Sequence, residues 1–211
     1  FDTAIDRMIW GIGQYSAMFN GGDFFAPDKY VTDYYTDEAL KVIEKNKNRP
    51  FFLYLAHWGV HTPLQALKSD YDELTYISDH VERVYAAMIK SLDRSVGRIV
   101  ESLQENGLSE NTWIIFTSDN GGADYIGLPE VNRPFRGWKR TMFEGGIRVP
   151  LFIRWPAKIS EGTVVQQPVS HIDLFPTIAR ASESNFAKQL EKDGENLFTL
   201  IHREEDRSWD R

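Results

Sequence analysis

An α/β sandwich, with a mostly parallel or mixed sheet between helices, is the fold class that three observations on these 211 residues predict. Three short apolar runs, Phe51 to Ala56, Trp113 to Ser118 and Leu151 to Trp155, have the pattern of strands buried in a sheet. They alternate with stretches of helical period, the clearest lying between Asp79 and Gly107. A hydrophobic content of 42% and an aromatic content of 13% suffice for one core of domain size.

Residues 1–35 carry Gly21, Gly22 and Pro27 as turn signals and no sustained period, which predicts mostly loop. Thr36 then has the place of a helix N-cap, with Asp37 and Glu38 suited to the positive end of the helix dipole. Ala39, Leu40 and Ile43 give an apolar face, so a short helix to about Lys47 is expected. Pro50 introduces the first apolar run, whose unbroken hydrophobicity predicts a strand covered on both faces.

Beyond it, Val81, Val84, Tyr85, Met88, Ile89, Leu92, Val96, Ile99, Val100 and Leu103 recur at spacings of three and four. Asp79 and Glu82 resemble a capping box, and Gly107 suits the stop. This stripe is core, not a cofactor box. Trp113 to Ser118 and Leu151 to Trp155 supply the next strands, the latter between Pro150 and Pro156. Ser170 to Ala181 predicts another helix, with Pro176 tolerated in its first turn. From about Glu183 the chain turns polar, so residues 1–183 are expected to form one partial domain and 184–211 a tail leading out of it.

Charge and composition exclude several roles. A net charge of −7 argues against a general nucleic-acid binder, which needs Lys and Arg to neutralise phosphates, but leaves room for a local basic site holding a small anion. No apolar run approaches the roughly 20 residues that cross a bilayer, so no membrane span is encoded. The absence of cysteine rules out disulfides, thiolate catalysis and Cys-type zinc sites within these residues.

In open α/β sheets ligands bind beyond the carboxyl ends of strands, which directs attention to three segments. His57-Trp58-Gly59-Val60-His61-Thr62-Pro63 follows the first run and Asp119-Asn120-Gly121-Gly122 the second. Arg136-Gly137-Trp138-Lys139 and Glu144-Gly145-Gly146-Ile147-Arg148-Val149-Pro150 precede the third.

Asp119 and Asn120 offer the hard oxygen donors that calcium or magnesium prefers, and Gly121-Gly122 eases the bend that would aim both at one ion. The same residues also suit an ordinary turn. Lys139 is either a point-charge ligand for an oxyanion or a solvated lysine. His61 either donates to an anion or protonates a leaving group, or is a structural histidine. The four-residue spacing of His57 and His61 would suggest zinc on a helix, but both lie in a turn bounded by Gly and Pro.

Taken jointly, the segments resemble the sulfatase family of the alkaline phosphatase superfamily. Phe51 to Ala56 with Val60-His61-Thr62-Pro63 is similar to its strand and His-x-Pro signature, and Thr117-Ser118-Asp119-Asn120-Gly121-Gly122 to its metal-binding strand end. Arg136 to Lys139 with Glu144 to Pro150 is similar to its sulfate-binding segment, and Ser170-His171-Ile172-Asp173-Leu174-Phe175-Pro176-Thr177 to its late helix. The resemblance spans roughly residues 30–183 and implies an alkaline-phosphatase-like sandwich, incomplete here.

For the residues, it implies calcium ligands at Asp119 and Asn120, and catalytic, sulfate-contacting roles for Lys139 and His61. Glu144, Arg148 and the glycines between them would be scaffold, His171 and Asp173 a helix start, and His57 without a role. The implied substrate is a sulfated carbohydrate or aryl sulfate, and the implied compartment secreted, periplasmic or lysosomal. The family's nucleophile, a formylglycine made from Cys or Ser in a short motif, and an early Asp pair have no match here. They are expected upstream of Phe1, completing the calcium site, so that these residues alone would be inactive. Arg140 also stands where many relatives have glycine. Two rivals remain: a phosphate or phosphonate ester hydrolase on the same scaffold, and a non-catalytic module that keeps the fold.

Overall fold

A computed structural model describes residues 18–20, 23–183 and 193–202. The chain divides into two units, residues 1–153 and 154–211. The first contains β1 (Met18–Asn20) and β2 (Asp23–Phe25), paired antiparallel with Met18 opposite Phe25. Then come α1 (Val31–Asn46), α2 (Lys68–Glu73), α3 (His80–Glu105), β3 (Ile114–Thr117), the single turn α4 (Glu144–Ile147) and β4 (Leu151–Arg154), which pairs with β3. The second unit holds α5 (Leu174–Ala181) and α6 (Phe198–Ile201).

Helix α3 begins and ends on the expected signals. The Asp79 carboxylate accepts the Glu82 N–H at 2.8 Å, and Gly107 takes φ +69° just past the end. Its buried line differs from the apolar stripe: Val84, Ala87, Met88 and Leu103 are buried together with Ser91 and Ser95, while Ile89 is exposed. Ser95 is inside because its small hydroxyl side chain lets α1 approach and finds a partner there, while Ser91 accepts from the Arg94 guanidinium of its own helix at 3.0 Å. The Thr36 and Ser95 hydroxyl oxygens lie 2.6 Å apart. Val84, Ala87 and Met88 form a core with Ala66, against which Val60 and Leu64 pack on either side of His61.

Two expectations for the first 47 residues are corrected. The segment predicted as mostly loop contains β1, β2 and the start of α1, which begins at Val31 rather than at Thr36. Thr36 is an interior, buried residue whose hydroxyl turns back to the Thr32 carbonyl at 2.7 Å, so its preference for local hydrogen bonding is met inside the helix. The N-cap is Tyr30, and its hydroxyl donates instead to the Gln65 carbonyl at 2.9 Å.

The Phe51 to Ala56 run is also corrected. It is paired with no strand among the described residues, and its burial alternates: Phe52 is 73% and Tyr54 81% exposed, while Phe51, Leu53 and Leu55 are half-buried. The unbroken apolar pattern suits cover on both faces, and only one face finds it here. An ion pair fixes the next segment. Arg94 grips the buried Asp70 carboxylate bidentately at 2.6 and 2.9 Å, with Lys90 at 3.8 Å from the same group. Removing one partner of such a pair costs on the order of 3 kcal/mol.

His57 closes a buried polar chain. Its Nε2 lies 2.9 Å from Ser95 Oγ, while Nδ1 is buried without a partner among the described residues. The Thr36 hydroxyl donates to Thr32 O, which leaves Ser95 to donate to Thr36 and to accept from Nε2–H. That tautomer keeps a bare lone pair, rather than an unmet N–H, at Nδ1. Burial pushes the His57 pKa below its ordinary value, because a second proton would place an unpartnered charge in the interior. The unfolded chain therefore binds the proton first. Stability is complete above pH ~6.5 and falls as pH drops below it. Urea midpoints of the whole protein between pH 7.5 and 5 are expected to fall more steeply than those of His57→Gln.

In the second unit, Ser170 forms a capping box with Asp173. The buried Asp173 carboxylate accepts N–H groups from Ser170 at 2.7 Å and from Glu195 at 2.8 Å, and Thr177 Oγ1 accepts the N–H of buried Leu197 at 2.9 Å. Asp173 is thus occupied as a structural carboxylate. Residues 193–202, within the polar stretch, are held against α5 by these bonds.

Candidate active site

Three segments meet at the end of β3. Thr117 Oγ1 donates to the Pro150 carbonyl at 2.9 Å, which ties the strand end to the entry of β4. Beyond it the Asn120 amide donates to Asp119 Oδ1 at 2.9 Å, so the carboxylate and the amide lie together on the bend. The chain then runs directly over the 136–146 loop: Gly121 N–H donates to Gly146 O at 3.0 Å, Lys139 N–H to Gly122 O at 3.0 Å, and Gly145 N–H to Arg136 O at 2.7 Å.

The crossing leaves no room for side chains. A Cβ on Gly121 would lie 1.8 Å from Gly145 O, and one on Gly145 2.2 Å from Gly137 O. These glycines therefore serve close approach of backbones, and they set the distance between the Asp119–Asn120 bend and the Lys139 loop.

Asn132 locks the same crossing and went unnoticed in the sequence. Its Oδ1 accepts the Gly122 N–H at 2.7 Å, and its amide donates to Gly122 O at 2.9 Å and Gly137 O at 3.1 Å. No period or motif marks it. Only the position of Gly122 and Gly137 on either side of it shows what it does.

The loop presents Lys139 to His61. Lys139 Nζ lies 3.4 Å from His61 Nε2, across 78 positions of sequence. His61 Nδ1 is 2.8 Å from the Thr62 carbonyl, which can only accept, so Nδ1 carries the proton and Nε2 turns its lone pair to the lysine ammonium. The Trp58 carbonyl accepts the His61 N–H at 2.9 Å, and the Trp58 ring meets the imidazole at a centroid separation of 5.6 Å. His57 is turned to Ser95 instead, so the two histidines face different partners.

The remaining candidates are supports. Glu144 and Arg148 pair at 3.4 Å across one turn, and the Arg148 guanidinium lies 4.5 Å above the Phe135 ring. As donors for a metal, the Asp119 carboxylate and the Asn120 amide oxygen are of the hard type that suits a calcium-type ion, with the Asn120 amide nitrogen turned to Asp119, and they fill only part of a shell of about six to eight. No group of three His, Asp or Glu side chains able to hold a metal occurs among the described residues.

Lys139 and His61 thus approach each other on an α/β scaffold, in a loop hydrogen-bonded to the segment that follows Asp119 and Asn120 at the carboxyl end of β3. The chain belongs to the sulfatase family, whose profile matches residues 3–184. It is 34% identical over 178 residues to steryl-sulfatase of Mus musculus, covering 82% of this chain and 28% of that protein. To N-acetylgalactosamine-6-sulfatase of Mus musculus it is 40% identical over 152 residues, 70% of this chain and 28% of that protein.

The crystal structure of Ps i-CgsB in complex with k-i-k-neocarrahexaose matches with a TM-score of 0.84 at 32% identity, over 95% of this chain and 46% of that one. The chain thus spans about three-tenths of these curated relatives' length and carries part of the alkaline-phosphatase-like sulfatase fold. The family generally binds a divalent metal.

Proposed function

We propose that the whole protein bearing this chain is a calcium-dependent sulfuric ester hydrolase that releases sulfate from a sulfated carbohydrate or aryl sulfate. The carrying observation is the 3.4 Å approach of Lys139 Nζ to His61 Nε2, with the Lys139 backbone bonded to Gly122 just past the Asp119–Asn120 bend. The N-acetylgalactosamine-6-sulfatase relative and the neocarrahexaose complex of Ps i-CgsB support a saccharide as substrate. A secreted, periplasmic or lysosomal compartment accords with such substrates.

An upstream formylglycine would supply the nucleophile, and calcium held by Asp119, Asn120 and upstream ligands the positive charge at the sulfate. Lys139 brings three N–H donors to the sulfate oxygens, where they offset charge as the ester bond breaks. His61 in its imidazolium form donates the Nε2 proton to the departing ester oxygen, an effect of about 100- to 10,000-fold. It then returns to the Nδ1–H tautomer that the Thr62 carbonyl already holds. The bound anion offsets the repulsion between the imidazolium and Lys139.

The test is hydrolysis of 4-nitrophenyl sulfate and of a sulfated oligosaccharide by the whole protein, before and after chelation. Expected is a loss of about tenfold or more with EGTA, restored by calcium, because the shell needs an ion that takes six to eight oxygens. Faster hydrolysis of the matching phosphate or phosphonate ester would transfer the reading to that rival. No hydrolysis of either kind would favour the non-catalytic module.

A further inference from the structure

The residue after Lys139 is held in an unusual state. Arg140 has φ +74°, the left-handed region that glycine enters freely and that strains a residue bearing a side chain. Its guanidinium lies 5.7 Å from the centroid of the Tyr125 ring, on the segment that continues from Asp119–Gly122. The arginine therefore reaches across from the Lys139 loop to the metal-side loop. Its neighbours Arg133 and Arg148 are paired with Glu130 and Glu144, whereas Arg140 meets no carboxylate within ion-pair distance among the described residues. It is exposed, on a chain whose net charge is −7.

A glycine at this position would build the same turn at lower cost, so the guanidinium has a use other than the turn. We infer that Arg140 determines specificity by binding a second anionic group, a sulfate or carboxylate, on a saccharide whose scissile sulfate lies at Lys139 and His61. The inference rests on the functional reading above and narrows it to substrates with at least two negative groups. Three features favour the role. The ring of Tyr125 orders the side chain before the substrate arrives, the fork of N–H donors matches a sulfate or carboxylate, and no acid among the described residues competes for it.

The test compares Arg140→Gly and Arg140→Lys with the unaltered whole protein on 4-nitrophenyl sulfate and on a disulfated disaccharide. A charge-assisted contact of this kind is worth about tenfold or more. Expected is a fall in kcat/KM of Arg140→Gly on the disulfated sugar at least about tenfold larger than on the aryl sulfate, with partial recovery in Arg140→Lys. The melting temperature of Arg140→Gly should be equal or higher, since glycine accepts the turn.

Equal losses on both substrates would show that Arg140 only holds the Lys139 loop, and no loss on either that it is idle; both overturn the inference. Calorimetric binding of the same disaccharide decides the matter without turnover. A protein that hydrolyses no sulfate ester sinks the functional reading. A Kd unchanged by Arg140→Gly, or no binding by either protein, sinks this one.

Discussion

Lys139→Ala in the whole protein is expected to lower kcat/KM for a sulfate ester by about 100- to 1000-fold, the loss that follows removal of one pre-aimed donor from an oxyanion site. The lysine Nζ stands 3.4 Å from His61 Nε2, so its removal takes away both a positive charge at the sulfate and the donor that now faces the imidazole. Charge on the sulfate and leaving oxygens changes most in the transition state, so the loss should fall mainly in kcat. Lys139→Arg should recover little, because a broad planar fork does not place its charge where the compact ammonium sat. Steady-state kinetics on 4-nitrophenyl sulfate, with melting temperatures beside them, measure this. A loss below tenfold in a folded variant would remove Lys139 from the chemistry.

Gly121→Ala should destabilise the protein by on the order of 3 to 5 kcal/mol, among the larger effects open to one methyl group. The added Cβ would sit 1.8 Å from Gly145 O and 2.8 Å from the carbonyl carbon behind it. Both are backbone atoms and cannot turn aside, so one segment must move. Any movement also parts the Asp119–Asn120 bend from the Lys139 loop, joined by the Gly122–Lys139 hydrogen bond, and activity should fall with stability.

Gly107→Ala is the contrast. Nothing lies within 4 Å of its Cβ position, only the φ of +69° opposes it, and about 1 kcal/mol is expected. Urea denaturation of both variants separates crowding from backbone preference, and similar costs would mean that the 121–145 crossing is looser than described.

By itself the sequence determined what lies within a few residues of its own cause. The Asp79 cap, the Gly107 stop, the Ser170–Asp173 capping box and the places of β3 and β4 were legible because caps and short apolar runs are local. Asp119, Asn120, His61 and Lys139 could be named from their segments, and expectations of their roles came only through the family resemblance.

Other features depend on where the chain returns, and only the tertiary structure decided them. Thr36 has the local look of a cap because its partner Ser95 lies 59 positions on, and Ser95 of α3 is core only because α1 packs there. Which face of Phe51 to Ala56 finds cover, why Asn132 matters, and that Arg140 bends through positive φ toward Tyr125 follow from contacts between distant segments. A local pattern records the preference of a few dihedrals. A hydrogen bond or a close glycine crossing needs two surfaces brought together by the whole fold, and neither surface alone carries its imprint.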